Sequence, residues 1–202
     1  RKGLTGISKI SIQTGTSHGG VVKADGSIAE VKLDFDTLKN LSTISQKEFG
    51  IGGAVQHGAS TLPEELFHKF PENNTVEVHL ATGFQNMMFD SKHFPADLKN
   101  KMYEWLKVNA QSEKKAGDSD EQFFYKARKK ALGPFKKEIM ALSKDVRDAI
   151  AAEIEQKFEF LFKQLNAINN KHIVEKYVTF KRVITRKRQA GPEVVHDGEG
   201  AD

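Results

Sequence analysis

The sequence predicts an α/β protein in which strands come first and helices follow. Up to about residue 90 the chain is rich in glycine and has short apolar runs of β type, separated by polar turns and one helical stretch. From about Phe94 onward, apolar residues recur at helical spacing. The chain has 202 residues, of which 38% are hydrophobic, so it has enough apolar material for a packed core.

Three runs are candidate strands, namely residues 7–13, 53–56 and 75–80. Each is short and is followed at once by a turn of small and polar residues. Runs of this kind suit buried parallel strands, which are connected by helices.

A helix is expected directly after the second strand. Thr61 and Glu64 have the spacing of a capping box, and Pro63 suits the first turn of a helix. The sequence therefore predicts a helix that begins just after Ser60.

The second half of the chain is predicted to be helical. Ser119 and Gln122 form another capping box, which opens a helix that ends near the Gly-Pro pair at 133–134. A longer helix follows, with apolar residues at spacings of four and three: Val146, Ile150, Ile154, Phe158, Phe162 and Leu165. We interpret this stripe as a packing surface. The last dozen residues are acidic and bear glycine, and residues 186–202 are predicted to be a disordered tail.

Composition excludes several classes of protein. The chain has no cysteine, which rules out disulfides and thiolate metal ligands and fits a reducing cytoplasm. No apolar run is long enough to span a membrane, and no leader-like segment is recognisable, so we expect no membrane partner. The net charge of +4 comes from interrupted basic clusters, so nucleic acid is not an expected partner. A nucleic-acid-binding module in residues 94–188 stays open as a minor alternative.

Histidine follows or ends each predicted strand, at positions 18, 57 and 79. Because the carboxyl ends of parallel strands lie at one face, His18, His57 and His79 can converge there despite their distance in sequence. A single histidine at a strand end is more often a hydrogen-bonded structural group than a ligand. Two of these three, however, are followed by glycine. The remaining histidines lie in helical, linker or tail contexts and are assigned no chemistry: His68, His93, His172 and His196.

The glycines beside two of these histidines predict an anion site. Gly19, Gly20 and Gly58 have no Cβ, so main-chain N–H groups can approach a phosphate closely. Ser60 adds a hydroxyl, and the helix expected after it adds its N-terminal dipole. Imidazoles next to such a site suit zinc, which in catalytic sites usually has three protein ligands and one open position.

Four segments in order resemble the class II, metal-dependent fructose-bisphosphate aldolase family: "GTSHGG", "VKLDFDTLKNL", "VQHGASTLPEELF" and "VEVHLATGFQ". The resemblance spans roughly residues 7 to 90. It implies that His18 and His57 are metal ligands, for zinc or another divalent ion, and that a monovalent cation is a further candidate cofactor. It also implies that Gly19, Gly58 and Ser60 bind the substrate phosphate.

The last segment departs from the family pattern, which commonly reads Asn-x-Asp-Thr. Thr82 matches that pattern and is assigned to the phosphate, while His79 stands in place of asparagine and Ala81 in place of aspartate. The resemblance places His79 at the substrate as a catalytic residue. Because both substitutions alter substrate contacts, a non-catalytic sugar-phosphate-binding protein stays open as the alternative function.

The resemblance implies the C-terminal portion of a (β/α)8 TIM barrel, with about three strands, followed by an α-helical extension. Residues 1–90 are then the last three β/α units, residues 91–185 the extension and residues 186–202 the tail. Such barrels need about 250 residues. We therefore expect a fragment that lacks five upstream strands, with the third zinc histidine and two acid–base residues on them, and that is inactive alone.

The activity implied for the complete protein is a retro-aldol cleavage in glycolysis. Zinc polarises the ketose carbonyl of a ketose bisphosphate, fructose 1,6-bisphosphate being the expected one, and the products are dihydroxyacetone phosphate and an aldehyde phosphate. Expected partners are this sugar phosphate and further copies of the chain in a homo-oligomer, and the expected location is the cytoplasm.

Overall fold

A computed structural model describes residues 6–12, 14–15, 22–25, 27, 29 and 32–182. Three strands form one parallel sheet in chain order: β1 (Ile10–Ser11), β2 (Ala54–Gln56) and β3 (Thr75–Val78). The prediction of three parallel strands at these places is confirmed. The strands are shorter than the apolar runs, and β2 begins directly after Gly53, which has a positive φ of 129° and whose carbonyl accepts from the Ile10 N–H at 3.1 Å.

Helix α1 (Phe35–Phe49) crosses from β1 to β2. The Asp34 carboxylate accepts a hydrogen bond from the Thr37 N–H at its start, and Gly50 ends it in the left-handed conformation. The helix is fixed to the sheet by a buried hydroxyl. Ser42 donates to the Asn74 carbonyl (2.6 Å) and accepts from the Ala54 N–H (2.9 Å).

The segment after β2 differs from the predicted helix. It consists of two 3-10 turns, Ala59–Thr61 and Glu64–Leu66, followed by the short helix α2 (Lys69–Glu72). Leu62 has extended backbone, with ψ of 140°. Because a residue before proline avoids the helical region, Pro63 interrupts the helix instead of opening it.

In the described part of residues 1–166, five α-helices follow β3. They are α3 (Thr82–Asp90), α4 (Ala96–Asn109), α5 (Asp120–Ala127), α6 (Lys136–Met140) and α7 (Lys144–Gln164). The predicted capping box at the start of α5 is confirmed. The Ser119 hydroxyl accepts from the Gln122 N–H, and the Gln122 side chain accepts from the Ser119 N–H. After a 3-10 turn, the helical backbone ends just before Gly133, as expected.

Helix α7 packs against two hydrophobic clusters. Its first half, through Val146, Ile150 and Ile154, joins the cluster formed by α3 to α6. Its second half, through Leu161, joins the cluster around the sheet and α1. The helix therefore connects the sheet region with the helical region.

The predicted apolar stripe on α7 is only partly buried. Ile150 is buried, but Phe158 and Phe162 are 41% and 47% exposed, and the buried residue of the last turns is Leu161. At 3.6 residues per turn, a spacing of four advances the side chain by about 40° per step. Over four steps the stripe turns by roughly 160°, so Phe162 leaves the face on which Val146 lies and Leu161 returns to it.

The chain divides into two compact units, residues 1–166 and 167–202. The second contains helix α8 (Lys171–Tyr177). The predicted boundary between residues 90 and 91 stays a prediction, and the predicted tail, 186–202, lies outside the described residues. In the described part of the chain, every helix is too short or too polar to cross a bilayer.

Candidate active site at the strand ends

The end of β2 carries the first group of predicted site residues. His57 follows directly after the strand, and Gly58 has a positive φ of 71°, which favours glycine at that position. Ser60 lies in the 3-10 turn that follows. The predicted residues His18, Gly19 and Gly20 lie outside the described residues, so their convergence with His57 stays a prediction.

The structure brings His57 and His79 together. The His79 N–H donates to the carbonyl of Gln56, the residue before His57, with a distance of 2.9 Å. This bond continues the pairing of β2 with β3 and sets the two histidines side by side at the carboxyl edge of the sheet. Their ring centres are 4.3 Å apart, and the ring planes meet at 43°.

A carboxylate orients the His79 ring. The His79 Nε2 contacts the Glu77 carboxylate, whose other oxygen accepts from the Lys9 ammonium. The hydrogen bonds from His79 and Lys9 hold the pKa of Glu77 below its ordinary value. Because the ionised carboxylate only accepts, the hydrogen on this bond belongs to His79 Nε2.

The turns after β2 and β3 also meet. A Cβ added to Gly83 would lie 3.5 Å from the Cβ of Ser60, so the two turns are in van der Waals contact. Thr82 is the first residue of α3, where main-chain N–H groups are unpaired within the helix. Ser60, Thr82 and Gly83 thus lie together, and the main-chain donors of a helix start suit an anion.

The prediction that an α-helix begins near Leu62 and directs its positive dipole end at the site is wrong. The backbone there forms a three-residue 3-10 turn and then becomes extended. Of the two turns, the one that begins a nine-residue α-helix is at Thr82. The positive end of a helix dipole at this edge therefore belongs to α3, which follows β3, and not to the segment after β2, where the sequence predicted it.

Sequence reasoning missed a buried polar contact beneath this edge. The Thr14 hydroxyl donates to the Gln56 amide oxygen at 2.7 Å, and the two residues are 3% and 0% exposed. The contact joins the turn after β1 to the last residue of β2. A polar amide at the end of an otherwise apolar strand was the available signal.

Arg128 is a second group that the sequence did not indicate. Its guanidinium is nearly buried, contacts Asn86, pairs with Asp90 at 2.9 Å and lies 4.9 Å from the centre of the Tyr125 ring. Asn86 and Asp90 lie in the last turns of α3. Arg128 therefore fixes the helix whose first residue is Thr82.

A cavity of about 270 Å³ lies behind the turns. Ser60 and Gly83 form one part of its wall, and Glu64, Asn86 and Lys157 add polar groups. The remaining described wall is mostly apolar, from Leu62, Phe67, Leu80, Phe84, Met87 and Leu161. The Lys157 ammonium pairs with Glu64, so that charge is compensated.

These features define an α/β protein whose polar groups collect at the carboxyl ends of parallel strands, where ligands bind in such folds. The family model for class-II fructose-bisphosphate aldolase matches residues 3–166. The chain therefore belongs to this family, a family of aldolases that are generally zinc-dependent. Comparisons with curated proteins and with solved structures give no match.

The residues at this edge fit a zinc ion by their chemistry. Two imidazoles lie in contact, and neutral imidazole is a preferred zinc ligand. Among the described residues, no three histidine or carboxylate side chains are placed to hold one ion. Metal coordination by His18 and His57 stays a prediction.

Proposed function

We propose that this chain carries the metal-binding and phosphate-binding edge of a zinc-dependent aldolase that cleaves a ketose bisphosphate. Fructose 1,6-bisphosphate is the substrate we propose, with dihydroxyacetone phosphate and an aldehyde phosphate as products. The observation that carries the proposal is the meeting of two strand ends. His57, Gly58 and Ser60 follow β2, and they adjoin His79, Thr82 and Gly83 after β3.

In this proposal, His18 and His57 hold the metal. When bound, zinc would supply Lewis-acid polarisation of the substrate carbonyl. The neutral imidazole of His57 is suited to a cation, and the contact with His79 restricts its orientation.

The phosphate would be held by Gly19, Gly20, Gly58, Ser60 and Thr82. The left-handed backbone at Gly58 leaves its N–H unshielded by a Cβ, and the Ser60 hydroxyl is a donor beside the start of α3. Fixing the phosphate fixes the reacting carbons relative to the histidines, which lowers the entropic part of the barrier. His79, at the substrate-contact position, would face the same ligand.

The test is cleavage of fructose 1,6-bisphosphate by the complete polypeptide, with and without a chelator. We expect metal-dependent release of dihydroxyacetone phosphate. Ser60→Ala should lower kcat/KM about 10- to 100-fold, because a hydrogen bond to a charged group is worth roughly 1.5–3 kcal/mol. Ser112→Ala, on an exposed 3-10 turn of the helical region, is the matched control and should leave kcat/KM unchanged.

The second candidate is a sugar-phosphate-binding protein without turnover, favoured by His79 and Ala81 in place of the family's asparagine and aspartate. A metal-free protein that binds the sugar phosphate without cleaving it would support this candidate and contradict the aldolase proposal. A homo-oligomer and a cytoplasmic location belong to the same proposal.

A further inference from the structure

The cavity behind the turns has a lining that suits the apolar part of a small ligand. Its volume of about 270 Å³ is nearly twice that of an engineered apolar cavity that binds benzene, about 150 Å³. An unbranched chain of about seven carbons therefore fits. The apolar side chains of the lining come from the turns after β2 and β3, from α3 and from the second half of α7: Leu62, Phe67, Leu80, Phe84, Met87 and Leu161.

A sugar phosphate does not match this lining. Its hydroxyl groups would lose water without gaining partners, and a polar group buried against apolar atoms without a hydrogen bond is costly. The Asn86 amide in the wall is already engaged, since it donates to the Tyr125 hydroxyl at 3.0 Å and accepts from Arg128. The cavity therefore suits a different class of ligand from the substrate proposed above.

The wall also contains a cation, the ammonium of Lys157 on α7. The Lys157 side chain is 21% exposed, and its ammonium lies 5.4 Å from the centre of the Phe160 ring. Its partner Glu64 is 60% exposed. When this pair opens, the exposed carboxylate recovers its hydration, whereas the more buried ammonium needs another anion.

The charge of the wall favours an anion with a single charge. Water screens the exposed carboxylate of Glu64, and ion pairs of that kind contribute little to stability. A ligand carboxylate that meets Lys157 from the cavity side is screened less, so its charge-assisted hydrogen bond is stronger. A phosphate ester with two charges would keep one of them uncompensated beside Glu64, because one ammonium neutralises only one charge.

We propose that this cavity is a binding site for a small amphipathic carboxylate. The ligand's carboxylate takes the place of Glu64 on Lys157, and its apolar body packs among α3, α7 and the turn after β2. Ser60 and Gly83 belong to the same wall, so the bound ligand also contacts the turns of the candidate phosphate site. The proposal does not depend on the metal or on the aldolase activity.

The test compares three probes that share one apolar chain, namely heptanoate, heptanol and heptylamine. Each is titrated into the 202-residue chain with a chelator present, and amide chemical shifts in two-dimensional NMR follow binding. We expect heptanoate to bind with a Kd of about 1 mM or below, in the range of efficient ligands of this size. It should bind about fivefold more tightly than heptanol or heptylamine and shift the amides of Gly83 and Met87.

Two substitutions at the ion pair have opposite expected effects on heptanoate. Lys157→Met keeps a long apolar side chain but removes the charge, so it should weaken heptanoate binding about fivefold and leave heptanol binding unchanged. Glu64→Gln removes the competing carboxylate and should tighten heptanoate binding about threefold. The matched control is Lys163→Met on the same helix, where Lys163 pairs with Glu159, and it should bind like the original chain.

Met87→Trp should abolish binding of all three probes, because the larger side chain fills the cavity. Circular dichroism shows whether each variant retains its fold, and the two partly exposed positions of the ion pair keep the test decisive if Met87→Trp does not fold.

Three outcomes overturn the proposal. Heptanoate does not bind or shifts no amide of the cavity lining, heptanol or heptylamine binds as tightly, or Lys157→Met and Glu64→Gln change heptanoate binding in the same direction. No metal and no sugar phosphate enters these measurements. Failure of the carboxylate site is therefore distinguishable from failure of the aldolase proposal.

Discussion

The carboxylate of Asp34 caps the N-terminus of α1 and stabilises its first turn. It accepts from both the N–H and the hydroxyl of Thr37, and the hydrogen bond from that hydroxyl, with the one from the amide, holds the pKa of Asp34 below 3.8. A group with a lowered folded-state pKa stabilises the fold above its unfolded pKa. That contribution is lost as the pH falls through the lowered value.

We therefore expect the stability difference between the original chain and Asp34→Ala to be fully present at neutral pH and to shrink below about pH 4. Asp34→Asn keeps a capping oxygen but does not titrate, so its own stability should depend less on pH in this range. Urea unfolding at a series of pH values measures both. A constant difference between Asp34→Ala and the original chain across that range would contradict the assignment.

Several site residues could be predicted from the sequence because their signal is local. A histidine followed by glycine, directly after an apolar run, is enough to expect His57 and Gly58 at a strand end. The partners Thr14 and Gln56 could not be predicted in the same way, since their hydrogen bond joins residues that are distant in the chain. The contact between Glu77 and His79 depends on side-chain direction, which spacing alone does not fix.

The capping box of α5 does more than begin a helix. Ser119 also donates to the Ala24 carbonyl at 3.0 Å, and Gln122 donates to the Val22 carbonyl at 2.8 Å. The segment at 22–24 comes shortly after the predicted metal ligand His18. The start of α5 therefore fixes the segment at 22–24.

Ser119→Ala should lower the free energy of unfolding by about 1 kcal/mol, since it removes the cap. It should also increase hydrogen exchange at the Ala24 and Val22 region, because the second contact of the hydroxyl is lost. Ser112→Ala is the control for both measurements. If exchange increases only within α5, the hydroxyl does not hold the segment at 22–24.

The capping-box pattern correctly predicted the start of α5 but not an α-helix after Thr61. After Ser119 no proline follows until Pro134, whereas at Thr61 the next residues are Leu62 and Pro63. The steric effect of Pro63 on Leu62 exceeds the roughly 1 kcal/mol that a cap provides. The same four-residue pattern thus gives a helix in one place and separate 3-10 turns in the other.

The two hydrophobic clusters of the first 166 residues share α7. Leu161 is 3% exposed and packs with Leu38 and Phe70 in the cluster around the sheet, whereas Ile150 belongs to the other cluster. The order of strands and the helical second half were predictable from the apolar pattern. Which residues in the last turns of α7 are buried was not, because a spacing of four carries the predicted stripe around the helix, so that Leu161 and not Phe162 lies on the same face as Ile150.

Leu161→Ala should lower the free energy of unfolding by about 3 kcal/mol, since it leaves a cavity next to the sheet. Phe162→Ala, one residue further and 47% exposed, is the matched control and should cost about 1 kcal/mol or less. Denaturant unfolding of both variants measures the difference. Equal losses would show that α7 does not bury Leu161 against the sheet.

The double use of Ser119 and Gln122 couples two processes that would otherwise be independent. Fraying of the first turn of α5 and release of the Val22 and Ala24 carbonyls break different hydrogen bonds of the same two side chains, so each process makes the other easier. By reciprocity, a ligand that holds Val22 and Ala24 in place should also slow the opening of a helix about one hundred residues away in the sequence.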